Sequence, residues 1–184
     1  MVPTLAATLG VKGHRPTVGT RDRKDLLYVL AVVNLVTAAV RADTLESPKD
    51  AKKKTGRSKT RRMQEAFAAH LRHVGRVYPA EEYKRVVLVI DNAPRHRGQP
   101  IDEALADNPH PEFKRLPSYS PQLDPVERFW KKLRRRATHN RLFDTLADLK
   151  TSLRTSLSYF QTVRHKVLSI IQGRPKRKTG RQMR

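Results

Sequence analysis

The sequence predicts an α/β fold in which helices flank a mixed sheet. Two apolar, β-branched runs, at residues 26–33 and 86–90, are typical of strands. Apolar residues at spacings of three and four in residues 60–79, 124–137 and 144–160 are typical of amphipathic helices. The chain has 184 residues, of which 38% are hydrophobic, so it is long enough for one domain with a substantial core.

The first predicted elements are strands. HRPTVGT, residues 14–20, predicts a short strand, and LLYVLAVV, Leu26 to Val33, predicts a longer one. The turn-prone Asn34 separates this run from TAAV, so residues 26–41 predict a hairpin.

Residues 47–61 form a polar segment with proline, glycine and many basic residues. This composition cannot bury enough apolar surface to order itself, so we expect a mobile loop. Basic runs are ordinarily solvated, but the net charge of +22 makes nucleic-acid contact at least as strong an interpretation. The candidate phosphate contacts here are Lys52, Lys53, Lys54 and Arg57.

A helix and a strand follow this loop. Residues 60–79 predict an amphipathic helix that ends near Gly75 and Pro79. The run VVLVI, Val86 to Ile90, is apolar on both faces, which predicts a central strand covered on both sides. Asp91 lies directly at the carboxyl end of that strand. The apolar positions of the helix are Met63, Ala66, Phe67, Leu71 and Val74.

Beyond the loop NAPRHRG, QPIDEALAD predicts a short helix, EFKRL a strand and PSYSPQLDP a proline-rich turn. In DPVERFWKKLRRRA, Asp124 is placed to N-cap a helix, Pro125 takes its first position and Glu127 lies three residues after the cap. The apolar stripe of this helix comprises Val126, Phe129, Trp130 and Leu133, whereas Lys131, Arg134 and Arg135 point elsewhere.

The last predicted helix lies in DTLADLKTSLRTSLSYF, residues 144–160. After it, the chain becomes strongly basic. We therefore predict one core over residues 1–166 and a disordered basic tail over residues 167–184. The apolar face of the helix comprises Leu146, Leu149, Leu153, Leu157 and Phe160.

The overall charge indicates the class of partner. Lys and Arg number 39 against 17 Asp and Glu, with a pI near 11.1, which favours a polyanion such as nucleic acid over a neutral metabolite. The absence of cysteine excludes disulfides, thiolate metal sites and a catalytic thiol. No stretch approaches the roughly 18 apolar residues of a membrane span, so we expect a cytoplasmic protein, nucleoid-associated if prokaryotic, with no membrane partner.

Two acidic residues are the candidate metal ligands. Asp91 follows a strand, Glu127 lies in the first turn of a later helix, and each is introduced by a polar loop, so the two can converge. Carboxylate oxygens are the ligands that Mg²⁺ and Mn²⁺ prefer, and two such ions about 3.5–4 Å apart can activate the attacking oxygen and stabilise the leaving oxygen of a phosphodiester. A basic shell would offset the repulsion between these acids and DNA.

Two long motifs carry a family resemblance. VLVIDNAPRH (Val87 to His96) and LPSYSPQLDPVERFW (Leu116 to Trp130) resemble the second-aspartate strand and the glutamate segment of the DDE transposases of the IS630 and Tc1/mariner group. They occur in the family's order, with 35 residues between Asp91 and Glu127. VPTLAATLGVKGHRP is similar to the segment that follows the family's first catalytic strand.

The resemblance implies a ribonuclease H-like fold and metal-dependent DNA cleavage and strand transfer. It implies that Asp91 and Glu127 are catalytic ligands of Mg²⁺ or Mn²⁺, and that transposon ends and target DNA are the partners; it also permits a homodimer. The candidate DNA contacts that accompany these acids are Arg95, His96, Arg97, Lys131, Arg134 and Arg135.

One departure from the family pattern concerns its first catalytic aspartate. That residue lies on a strand upstream of the segment with which this chain begins, and Asp22 and Asp25 do not match its position. We therefore expect a C-terminal fragment from a truncated or frame-shifted gene, lacking the first strand and the helix-turn-helix domains, and inactive alone.

Each of these assignments has a structural alternative. Asp91 can form an Asx turn at the strand end, and a capping box with Asp124 explains an acid at position 127 without a metal. We expect His96 to be a loop residue or a phosphate contact rather than a metal ligand. For the whole chain, the alternative is a non-enzymatic basic module that binds nucleic acid.

Overall fold

The computed structural model describes residues 12, 14, 17, 25–47, 54–118 and 124–173. Of the predicted features, Lys52, Lys53, most of the strand at 14–20 and the end of the basic tail lie outside these ranges. A 3₁₀ turn, Pro94–His96, precedes the second helix. The elements are β1 (Leu26–Val33), β2 (Val40–Ser47), α1 (Lys59–Val77), β3 (Val86–Ile90), α2 (Gln99–Ala106), β4 (Pro111–Arg115), α3 (Pro125–Ala137), α4 (Leu146–Thr162) and α5 (Arg164–Gln172).

The first two strands form the predicted hairpin. They pair antiparallel along their full length, from Leu26 opposite Ser47 to Val33 opposite Val40. Asn34 closes the turn, because its Oδ1 accepts the N–H groups of Val36 and Thr37, each at 2.9 Å. The second strand runs past the predicted end at residue 41, since every residue of β1 has a partner on it.

The second pair of strands, β3 and β4, is parallel. Among the described residues β3 pairs with β4 alone, and Val87 and Val89 are 50% and 44% exposed. Only the face that carries Leu88 packs against the helices. The prediction of a central strand covered on both sides is therefore wrong for the described structure: the apolar run has helices on one face only.

The described strands form two separate two-stranded sheets, β1–β2 and β3–β4, instead of one mixed sheet. Antiparallel and parallel pairing are both present, as the prediction of a mixed α/β fold requires. No helix in the described ranges has the length and apolarity needed to cross a bilayer.

The larger core cluster joins the hairpin to the three C-terminal helices. Phe129 of α3 is fully buried, and its ring meets that of Phe160 of α4 edge to face, with centroids 5.2 Å apart. Val167 and Ile171 of α5 are buried in the same cluster, at 0% and 2% exposure. The core thus continues to Ile171, beyond the predicted start of the tail at residue 167, because apolar side chains recur there at helical spacing.

A smaller cluster joins α1 and α2 beneath β1 and β3. The predicted helix over residues 60–79 is confirmed as α1, which continues through Gly75 and ends at Val77, between this glycine and Pro79. A Cβ atom at position 75 would lie 2.5 Å from Oδ1 of Asn108, so this glycine permits close approach of the segment after α2. The buried members of this cluster are Leu30, Phe67, Ala68, Leu71, Ile101 and Ala104.

Candidate active site

The site begins where β3 ends. The N–H of Leu116 donates to the carbonyl of Ile90 at 2.9 Å, and Nδ2 of Asn92 donates to the carbonyl of Leu116 at 2.8 Å. These two bonds extend the pairing of β3 and β4 beyond the strands themselves. Asp91 therefore leaves the sheet from a fixed backbone position.

The carboxylate of Asp91 makes three contacts. Its Oδ1 accepts the N–H of Ala93 at 2.9 Å and lies 2.7 Å from Nδ1 of His96. Its Oδ2 lies 3.3 Å from the guanidinium of Arg95. The Asx turn is therefore present, yet the Asp91 side chain is still 48% exposed, so the turn leaves oxygen surface for a ligand.

His96 is held inward against Asp91. Its side chain is 12% exposed, and its ring lies over Phe67 with centroids 4.5 Å apart. Burial lowers the pKa of His96 below its ordinary value, although the charge of Asp91 opposes this. The ring is thus neutral near pH 7 and donates its Nδ1 hydrogen to the carboxylate, which suits positioning of Asp91 better than direct contact with phosphate.

Glu127 lies in the first turn of α3, directly after its cap. Asp124 caps this helix by accepting the N–H of Val126 at 2.9 Å. In the part of the chain that the structure describes, the carboxylate of Glu127 has no hydrogen-bond or ion-pair partner. The reciprocal capping box that would have explained Glu127 forms instead at the start of α4, between Thr145 and Asp148.

Asp91 and Glu127 line the same cleft, which has a volume of about 1220 Å³. The cleft lies between β1 and β3, and Arg95, His96 and Arg134 also line it. Both acids that the sequence singled out, with the cations Arg95 and Arg134, are therefore among the many residues that line this cleft.

The other predicted DNA contacts have different surroundings. Lys131, Arg134 and Arg135 are exposed on α3. The guanidinium of Arg97 donates to the carbonyl of Asn92 at 2.9 Å, and that of Arg57 pairs with Glu65 at 2.8 Å. Lys54 is exposed and belongs to the basic segment that the structure describes only in part.

A second group of metal-ligating side chains was not recognised in the sequence. Asp43 of β2 and His70 and His73 of α1 each place one ligand atom within 4.8 Å of the other two. Burial lowers the pKa of His70, opposed by its contact with Asp43. The signal available was HLRH, since two histidines three residues apart share one face of a helix.

Comparisons with known proteins show which family this chain resembles. Residues 3–150 match the family model described as DDE superfamily endonuclease. Among solved structures, a chain of the "Mos1 transposase paired-end complex with left transposon end" is similar, with a TM-score of 0.57 and 19% identity. The likeness, which concerns the fold, covers 93% of this chain and 49% of that chain, so this chain spans about half the length of the relative. No curated protein matches it.

Proposed function

This chain belongs to the DDE superfamily endonucleases, and from that membership we propose that it is the catalytic part of a transposase that cleaves and joins DNA strands. The observation that carries the proposal is the shared cleft of Asp91 and Glu127. Asp91 extends from a sheet and Glu127 from a helix, with 35 residues between them in sequence, and both carboxylates retain oxygen surface for a ligand.

The two acids fit a hard divalent cation. Carboxylate oxygens suit Mg²⁺ and Mn²⁺, and Glu127 has no competing partner among the described residues. At Asp91 the competing cation is Arg95, whose contact at 3.3 Å is long for an ion pair. We propose that Asp91 and Glu127 hold the metal and that Arg95 then contacts a DNA phosphate.

When bound, the divalent ions would activate the attacking oxygen and stabilise the leaving oxygen. The chain's own residues orient the reactants: His96 fixes the carboxylate of Asp91, and Arg95 and Arg134 bind phosphate in the cleft. In cleavage, the oxygen of water loses a proton and bonds to phosphorus, the P–O3′ bond breaks, and the leaving 3′ oxygen takes up a proton. The freed 3′-hydroxyl then attacks a target phosphodiester in the same way.

We further propose that the two small sheets are halves of one ribonuclease H-like sheet. Both β1 and β3 line the cleft, and among the described strands each pairs on one side only. An extended strand inserted between them would pair with both and bring a third carboxylate beside Asp91. Three carboxylates bind metal more tightly than two, so an acid at this position would strengthen the site.

DNA is the proposed partner. The net charge of +22 attracts a polyanion, and the exposed cations of α3 lie on the same helix as Glu127. This surface would also serve a module that binds DNA without cleaving it. Metal binding by the two acids distinguishes these functions.

The test is Mn²⁺ binding measured by calorimetry, together with nicking of supercoiled plasmid DNA. We expect Mn²⁺ to bind the unmodified chain and a Glu81→Gln control, in which an exposed acid outside the cleft is changed. Asp91→Asn and Glu127→Gln should each weaken Mn²⁺ binding and remove any Mn²⁺-dependent nicking. Equal Mn²⁺ binding by all four proteins would contradict the proposal, and DNA binding without any Mn²⁺ binding would favour the non-enzymatic module.

A further inference from the structure

We propose that Asp43, His70 and His73 form a binding site for a transition-metal dication of the Zn²⁺ class, distinct from the site of Asp91 and Glu127. Imidazole nitrogen suits Zn²⁺, Ni²⁺ and Cu²⁺, whereas the all-oxygen pair in the cleft suits Mg²⁺ and Mn²⁺. His70 also borders the cleft, but Asp43 and His73 are not among the residues that line it. The chain would therefore bind a Zn²⁺-class ion at this group and Mg²⁺ or Mn²⁺ in the cleft.

The geometry of the three side chains points to a common ligand. Nδ1 of His70 lies 2.5 Å from Oδ2 of Asp43, and Nδ1 of His73 lies 2.8 Å from the same oxygen. Zinc bonds of about 2.0–2.1 Å at tetrahedral angles place ligand atoms about 3.3 Å apart. Oδ2 of Asp43 thus needs to move away from each nitrogen by less than about 1 Å, which this partly exposed side chain can supply by rotation, and the two nitrogens already lie within 4.8 Å of each other.

Burial of His70 is the second observation. Its ring is 1% exposed, and its Nε2 has no partner in the described structure. Hydrogen bonding to Asp43 therefore satisfies one nitrogen of a ring that has been fully desolvated. Coordination of a cation by Nδ1 would replace this hydrogen bond with a metal–nitrogen bond, so the buried ring would keep one polar partner.

The other two ligands are partly exposed, so an ion can reach the site from solvent. His73 and Asp43 are 33% and 40% exposed, so an ion can enter from their side and keep water as its fourth ligand. Because Asp43 lies on β2 and the histidines on α1, the ion would link the hairpin to the helix. We expect it to stabilise the fold rather than to act on DNA.

The experiment uses the full chain after removal of metal with a chelator. Calorimetry should show one Zn²⁺ bound, thermal unfolding should shift upward with Zn²⁺, and Co²⁺ should give the visible absorption of a tetrahedral site. His73→Gln and Asp43→Asn should each weaken Zn²⁺ binding by at least about 10-fold, the lower limit seen even for residues that only support metal ligands. Asn at position 43 can still accept a hydrogen bond from a histidine, so this variant separates hydrogen bonding from metal binding.

Two further variants act as controls. His165→Gln removes an exposed histidine on α5, and Asp91→Asn removes an acid of the cleft; both should bind Zn²⁺ like the parent. Absence of Zn²⁺ binding, or binding unchanged in His73→Gln and Asp43→Asn, would overturn the proposal. Loss of Zn²⁺ binding in Asp91→Asn alone would also overturn it, since the cleft would then be the Zn²⁺ site.

Discussion

Nδ1 of His96 lies 2.7 Å from Oδ1 of Asp91, and the same imidazole ring lies over Phe67 of α1. One side chain thus fixes the candidate metal ligand and anchors its loop to the core. We predict that His96→Ala lowers the free energy of unfolding by about 1–3 kcal/mol, the range for loss of a buried polar contact and its packing. It should also weaken Mn²⁺ binding, because Asp91 loses its positioning partner.

Urea unfolding and Mn²⁺ calorimetry measure these two effects of His96→Ala. His165→Ala is the matched control, since His165 is exposed on α5. If His96→Ala is destabilised yet binds Mn²⁺ as the parent does, His96 anchors the loop without positioning Asp91.

DNA binding should depend steeply on salt. Neutralisation of six to ten phosphates would reduce affinity by about 10³–10⁵ between 50 and 200 mM salt. In the double variant Arg134→Gln, Arg135→Gln, the slope of log affinity against log salt should become shallower by about 0.9 for each phosphate that these two arginines neutralise in the parent. Both residues are exposed on α3.

The control for the double variant is Arg72→Gln. Arg72 is paired with Asp107 at 2.7 Å, so its replacement should leave the salt slope almost unchanged. The measurement is fluorescence anisotropy with labelled duplexes of unrelated sequence. An unchanged slope in the double variant would remove α3 from the DNA-binding surface.

The packing of Gly75 gives a prediction for the fold. Gly75→Ala places a Cβ atom 2.5 Å from Oδ1 of Asn108, so we expect a loss of about 1–3 kcal/mol in the free energy of unfolding from overpacking. In the background of Asn108→Ala the same change should cost less, because the obstructing side chain is absent. A double-mutant cycle by urea unfolding measures this coupling, and additive effects would show that the close approach is relieved elsewhere.

Local patterns predicted most of the elements, and the two acids that they singled out both line the cleft. Helical spacing identified α1 and α3, and Asp124 with Pro125 marked the start of α3 correctly. The coverage of β3 could not be predicted, because an apolar run shows that both faces can be buried but not which neighbours are present. Val167 is a different case, because it recurs with Ile171 at helical spacing, and the prediction of a tail gave more weight to the basic composition of this end of the chain.

The sequence also could not predict which partners individual side chains contact. In the sequence His96 is one member of a basic loop, and only its contact with Phe67 shows that it is turned inward. The group of Asp43 with His70 and His73 depends on the register that places β2 beside α1, a long-range arrangement that no spacing within α1 specifies.

The variant Glu127→Gln tests whether Glu127 is a metal ligand or a helix-capping residue. The carboxylate of Glu127 has no partner among the described residues, so its replacement should change the metal-free free energy of unfolding by no more than about 0.5 kcal/mol. Asp124→Ala, which removes the observed cap, should cost about 1 kcal/mol in the same measurement. The two acids of this turn therefore differ before any metal is added.

With Mn²⁺ present, we expect Asp124→Ala to be more stable than Glu127→Gln, the reverse of their order without metal. At a concentration of 100 times the dissociation constant, a ligand stabilises the native state by about 2.7 kcal/mol, and a tenfold weaker site reduces this to about 1.4 kcal/mol. We expect such a reduction, or a larger one, in Glu127→Gln, whereas Asp124→Ala should keep most of the stabilisation by Mn²⁺, as should Glu81→Gln. Thermal unfolding of all four proteins with and without Mn²⁺ measures this. If Glu127→Gln instead unfolds much earlier without metal and gains as much from Mn²⁺ as the parent, Glu127 serves the helix and not the metal.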